Sequence, residues 1–138
     1  MKDILTSVIL SIKPIYAKAI MSGVKKVEFR KKIFKKPVDK VFVYSSSPEK
    51  KIIGYFTIGE IVEDSPERLW EKFNKVGGIS KKDFFEYYKN VETGFSISVD
   101  TYKEFEEGVD PTDFFENFRA PQSYIYLEER TAANILHK

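Results

Sequence analysis

Apolar and polar positions recur along this chain with two different periods, and the switches between them divide it into elements. A repeat of two places neighbours on opposite faces of a strand, whereas a repeat of three or four marks one face of a helix. Residues 4–12, ILTSVILSI, are rich in Ile, Val and Thr and predict a first strand. Pro14 can open a helix and Gly23 can close one, so PIYAKAIMSG predicts a short helix with Ile15, Ala19 and Ile20 toward the core. Val27 and Phe29 then alternate with Lys26, Glu28 and Arg30, which is strand spacing. With Val27 and Phe29 inward, Glu28 and Arg30 share the opposite face. Two more strands follow, VDKVFVYSS (38–46) and KKIIGYFTIGEIVE (50–63), the second with Gly54 and Gly59 as bulge or close-approach positions.

The next two segments read as helices. SPERLWEKF has Ser65 at the N-cap with Pro66 just inside, and SKKDFFEYYKN has Ser80 with Asp83 three residues on. Trp70, Phe84, Phe85, Tyr87 and Tyr88 fall at helical spacing and read mostly as core, with Trp70 or Tyr88 at a cleft wall as the lesser option. GFSISVDTYKEF (94–105) alternates as a strand, DPTDFFENF is a short capped turn or helix, QSYIYLEE is a last strand, and the tail after Glu129 is helical. The expected order is β-α-β-β-β-α-α-β-(α)-β-α, an α+β chain. Its short strands suit either a small mixed barrel with helices over its openings or an open sheet. No repeat or linker interrupts it, so residues 1–138 read as one domain.

Composition narrows the chemistry. Without cysteine there is no disulfide and no cysteine-bound zinc, and the lone histidine, His137, stands next to the end of the chain, so no metal site and no cofactor are expected. No apolar run reaches membrane-spanning length. The N-terminal apolar stretch contains Asp3 and no small-residue cleavage site follows it, so a cytoplasmic protein is expected. Aromatics reach 15%, which suits a β-rich core or surfaces on which bases stack. The net charge of +2 hides an asymmetry: residues 1–40 carry eleven Lys/Arg against three Asp/Glu, while the rest of the chain is acidic. Such a split points to an anionic partner.

The basic centre of that first part is VKKVEFRKKIFKK (24–36), with one acid, Glu28, in its middle. Arginine is a rigid fork of donors and a carboxylate is acceptor-only. Glu28 and Arg30 on one strand face can therefore meet the acceptor and donor edges of a base, while lysines meet phosphate. The plainer alternative is a surface ion pair of Glu28 with Lys26, Arg30 or Lys32.

Three groups of residues, SIKP (11–14), SGVKKVEFRKK (22–32) and VYSSSP followed by KKIIGYFTIGEI, together resemble the ASCH domain, a branch of the PUA-like superfamily. The matching positions are Lys13, Pro14, Gly23, Lys25, Glu28, Arg30, Ser45 to Ser47 and Gly54. EDSPERLW, GISKKDFFEYY and PQSYIYL resemble a prokaryotic subgroup described as PUA-like transcriptional regulators. The resemblance runs over residues 7 to 127. It implies a PUA-like small mixed β-barrel flanked by helices, with a cleft that receives a nucleobase.

On that reading the expected ligand is RNA, single-stranded nucleic acid or a nucleotide. Lys13, Lys25, Glu28, Arg30, Ser45, Ser46, Gln122 and Ser123 are the candidate binding residues. Ser47 reads more as an ordinary turn. Lys31, Lys32, Lys35 and Lys36 are candidates for phosphate, or a solvated basic loop that steers. One branch of the resembling family is a nucleoside amidohydrolase acting on acylated cytidine through a Lys, a Thr and a Glu. Here Lys25 matches the Lys, the Thr position holds Glu28, and NKVGGISKK has glycines where the Glu is expected. Catalysis through Lys25 and Glu28 is therefore the alternative to a non-catalytic reader. A protein-binding or purely structural domain is the third option.

Overall fold

A computed structural model of the chain describes residues 6–137, so the first two positions of the expected strand 4–12 lie outside the described residues. The order is β1 (Thr6–Ile12), α1 (Pro14–Met21), β2 (Val27–Arg30), β3 (Val38–Ser45), β4 (Lys51–Asp64), α2 (Pro66–Phe73), α3 (Lys81–Tyr87), β5 (Gly94–Val109), a 3-10 turn (Pro111–Asp113), β6 (Tyr124–Leu127) and α4 (Glu129–Leu136). This is the order that the hydrophobic periods predict. The six strands form one sheet in the order β2-β5-β4-β3-β1-β6. β1 and β3 run parallel, and every other pair is antiparallel.

The period of two assigns the faces. In β1, Val8, Leu10 and Ile12 pack with Val41 and Val43 of β3 and with Ala17, Ile20 and Met21 of α1. Ile9 points the other way, with Phe42 and Tyr44, and meets Leu127 and the α4 residues Ala132 and Ile135. A third cluster joins Val27 and Phe29 of β2 to Leu69 of α2, to Phe84 of α3 and to Tyr88 at the end of that helix. The helix starts follow their caps. Ser65 Oγ accepts from the Arg68 amide at 3.3 Å, and Ser80 Oγ from the Asp83 amide at 3.1 Å.

Three expectations need correction. The sheet is not closed into a barrel: β2 and β6, each only four residues long, remain its two edges, with no ladder between them. On α1 the buried stripe is Ala17, Ile20 and Met21, and Ile15 is 71% exposed, because positions 17, 20 and 21 share one helix face. β5 runs four residues further than the alternation in its first half suggests, along the start of β4. The two expected irregularities in β4 do occur, with register shifts between Ile52 and Gly54 and between Ile58 and Ile61. A side chain at Gly54 would run into the Lys103 carbonyl and Met21 Sδ. Among the described residues no helix is long and apolar enough to cross a membrane.

Candidate functional site

A cleft of about 660 Å³ opens where the end of β1, the edge strand β2, the lead-in to β6 and the exposed side of α3 meet. Lys13, Lys25, Glu28, Arg30, Lys31, Lys32, Gln122 and Ser123 all line it, residues up to 110 positions apart in sequence (Lys13 to Ser123). The floor is an ion-pair network. Glu28 is 5% exposed and Lys25 2%. Glu28 Oε1 lies 3.7 Å from Lys25 Nζ, and Glu28 Oε2 accepts from Arg30 Nη1 at 3.2 Å. The surface ion pair that residue types alone suggest is therefore a buried one, because β2 is covered on both faces.

Local sequence explains how each group is held. Lys25 Nζ donates to the Gly77 carbonyl and sits 5.3 Å and 5.0 Å from the ring centres of Tyr16 and Phe29. Gly78 has φ +61°, and a Cβ there would stand 2.7 Å from Lys25 Cβ, so this glycine makes room for the buried lysine, while Gly77 makes room for the Phe29 ring. Burial holds Lys25 below the usual lysine range, and the Glu28 carboxylate pulls the other way. Arg30 is a clasp: Nη2 donates to the Ser123 carbonyl at 2.9 Å and Nη1 to the Ser11 carbonyl at 3.4 Å. One guanidinium thus spans the gap between the two sheet edges, where no backbone ladder forms. Tyr88 OH donates to the Arg30 carbonyl at 2.9 Å and supports the strand from behind.

Some expected residues fall elsewhere. Ser45 is fully buried at the end of β3, and its Oγ has no partner among the described residues. The Ser46 amide donates to the Ile12 carbonyl at 2.9 Å, which ties the serine turn to β1 without making it part of the cleft lining. Lys35 and Lys36 lie beyond the cleft. Their amides both donate to Tyr126 OH, at 2.9 and 3.2 Å, and Lys36 Nζ lies 4.7 Å from the Tyr126 ring centre. Tyr88 and Trp70 belong to the packed aromatic cluster, not to the lining.

The sequence reading passed over Tyr16 and Glu86, and it gave Asp83 to a helix cap and Tyr87 to the core, yet all four line the cleft. A signal existed. Asp83, Glu86 and Tyr87 stand at i, i+3 and i+4, one face of α3, opposite the core positions Phe84 and Tyr88. Partial burial pushes the Tyr16 phenol up, helped by the Asp83 and Glu28 carboxylates, so these three groups share one field. Lys31 Nζ lies 4.7 Å from the Tyr87 ring centre. Among the described residues, Lys13, Lys31 and Lys32 make no ion pair, and no cluster of three or more His, Cys, Asp or Glu could hold a metal.

Fold and site together define a small α+β domain with a cationic, aromatic-walled cleft at the open seam of its sheet. The chain belongs to the ASCH domain family, whose model matches residues 10–116. A Zymomonas mobilis protein named ASCH domain-containing ribonuclease is 27% identical over 140 aligned positions, covering 93% of this chain and 88% of the relative. The crystal structure of ASCH from Zymomonas mobilis matches with a TM-score of 0.89 at 24% identity, covering 95% of this chain and 94% of that one. The N-terminal domain of Staphylothermus marinus McrB matches with a TM-score of 0.63 at 12% identity, over 100% of this chain and 98% of that one. At such identities the structural likeness establishes the fold.

Proposed function

We propose that the cleft binds single-stranded RNA, with one nucleotide inside it and the flanking phosphates on its rim. The observation that carries this reading is the convergence of Lys13, Lys31 and Lys32, exposed and without an ion pair among the described residues, around a cleft with half-buried Tyr16 and Tyr87 in its walls. Lysines without a counter-ion suit phosphate, and tyrosine rings suit a base. The name of the Zymomonas mobilis relative, a ribonuclease, supports RNA as the polymer. The wider PUA-like kinship implied by SIKP, SGVKKVEFRKK and VYSSSP carries the same expectation of a base in the cleft.

The reading gives Arg30 a different part from the one its residue type suggests. Its donors go to Glu28, Ser11 and Ser123, so it holds the cleft in shape and leaves base recognition to its neighbours. Gln122, exposed beside Ser123, carries an amide able to donate and accept toward a base edge.

A catalytic reading has one specific observation behind it: a buried lysine, held below its usual range, beside a carboxylate at the cleft floor. That pair would serve phosphodiester cleavage, as the relative's name suggests, or the amidohydrolase chemistry on acylated cytidine.

The test is fluorescence anisotropy with labelled single-stranded RNA at graded salt. A strand touching about three phosphates gives a slope near −2 in log K against log salt, roughly fifteenfold weaker binding from about 50 to about 200 mM. Lys31→Glu with Lys32→Glu weakens binding to every sequence alike. Unchanged binding at low salt in that variant removes the rim from the account. Incubating wild type with the same RNA, and with an acylated cytidine, separates reader from enzyme. Turnover that Lys25→Met abolishes while binding persists establishes catalysis.

A further inference from the structure

We infer that the cleft selects guanine, through acceptor-only carboxylates on its α3 wall. This rests on the RNA-binding reading above and concerns which base enters. The charges of the cleft are sorted by element. Its cations that make no ion pair among the described residues, Lys13, Lys31 and Lys32, come from the ends of β1 and β2. The α3 side contributes Asp83 and Glu86, both exposed and neither in an ion pair among the described residues.

That sorting orients a nucleotide. α3 is neutral as a whole, but Lys81 and Lys82 lie outside the lining, so within the cleft Asp83 and Glu86 turn phosphate toward the strand side and the base is what faces them. Glu28, the third carboxylate of the cleft, is already engaged by Lys25 and Arg30, which leaves the α3 pair as the acceptors for a ligand.

An ionised carboxylate offers two oxygens and no donor. Guanine presents N1–H and the N2 amine side by side, two donors that one carboxylate accepts together. Cytosine and adenine present one amine next to a ring nitrogen that is itself an acceptor and faces the carboxylate badly. Uracil presents one N–H flanked by two carbonyl oxygens and meets repulsion on both sides. The order expected is therefore guanine first, adenine and cytosine next, uracil last. Tyr16 lines the same cleft as Asp83 and Glu86 and offers an aromatic side chain within it.

The experiment measures full-length protein against four labelled RNA pentamers that differ only in a central G, A, C or U within a uridine frame. The G-centred pentamer is expected to bind roughly tenfold more tightly than the all-uridine one, the scale of one good base contact. In the double variant Asp83→Asn, Glu86→Gln the ratio of G to U affinity falls to near one. The ratio is the readout because removing two negative charges raises affinity for every RNA. Both side chains are exposed, and Glu86→Gln alone is the milder variant, expected to lower the ratio part of the way. Equal affinity for all four pentamers, or a ratio that survives the double variant, overturns the selectivity and leaves RNA binding standing. Binding of none of the four overturns both readings.

Discussion

Glu28→Gln removes one charge from the cleft floor and keeps the volume. Wild-type Glu28 sits between Lys25 at 3.7 Å and Arg30 at 3.2 Å, with side-chain exposures of 2% and 13% for the two cations. Breaking a buried ion pair costs about 3–5 kcal/mol when the surviving charge has no other partner. Here both survivors keep acceptors, the Gly77 carbonyl for Lys25 and the Ser11 and Ser123 carbonyls for Arg30. The new amide oxygen can still accept from Arg30. The cost therefore falls to about 2–3 kcal/mol, since a hydrogen bond to a charged group is worth about 1.5–3. At about 3–4 °C per kcal/mol for a chain of this size, Tm drops by roughly 6–12 °C.

Thermal unfolding followed by circular dichroism at several pH values adds a second signature. Burial lowers the Lys25 pKa from the ordinary 10.5. The folded state then binds fewer protons than the unfolded state between the folded value and 10.5, and there stability rises with pH. Glu28 opposes that shift, so in Glu28→Gln the rise begins at lower pH and is steeper. The gap between variant and wild type is widest where Lys25 is charged in both, and it narrows as pH climbs toward 10.5. Arg30 stays charged throughout, so the gap does not vanish. A variant that melts within about 2 °C of wild type at neutral pH, or a gap that does not change with pH, refutes this account of the floor.

Two further outcomes test the frame around the site. Phe84 is fully buried against the rings of Phe29, Trp70, Phe85 and Tyr88 at 4.9 to 5.2 Å, so Phe84→Ala should cost about 3–5 kcal/mol in urea unfolding; a loss near 1 would mean that α3 is not anchored there. Gly78→Ala forces φ +61° on alanine and pushes a methyl to 2.7 Å from Lys25 Cβ, so it should cost about 1–3 kcal/mol and weaken RNA binding together with Tm, and an unchanged Tm would count against the tight fit.

The element order was legible because its signals are local. The alternation of Val8, Leu10 and Ile12 with Ile9 assigns β1 its two faces without reference to any other residue. Ser65 and Ser80 mark the helix starts through bonds three residues long. Pairing is different. Nothing within β1 announces that it lies parallel to β3 and antiparallel to β6, or that β2 and β6 stop short of each other. The cleft floor was half legible: Glu28 and Arg30 do share a face, but the carbonyls that occupy Arg30 belong to residues 11 and 123. Asp83 and Glu86 were missed because the aromatic residues of the same helix drew the periodicity toward the core. The burial of Ser45 was not legible, because its cover comes from neighbours in the sheet and not from its own segment.

Arg30 and Ser123 are 93 residues apart, and their bond spans the seam at which the sheet stays open. This has a consequence for timing. On a ribosome, β1, α1 and the whole basic segment emerge early, and β6 emerges among the last strands. Until Ser123 arrives, Arg30 lacks its shortest carbonyl partner and the cleft lacks one wall. A nascent chain therefore displays its lysines before it owns a pocket, and on the RNA-binding reading proposed above its early contacts with RNA are electrostatic and indiscriminate. On that reading the base pocket is completed in a single late event, when the two edges of the sheet are fastened by one side chain.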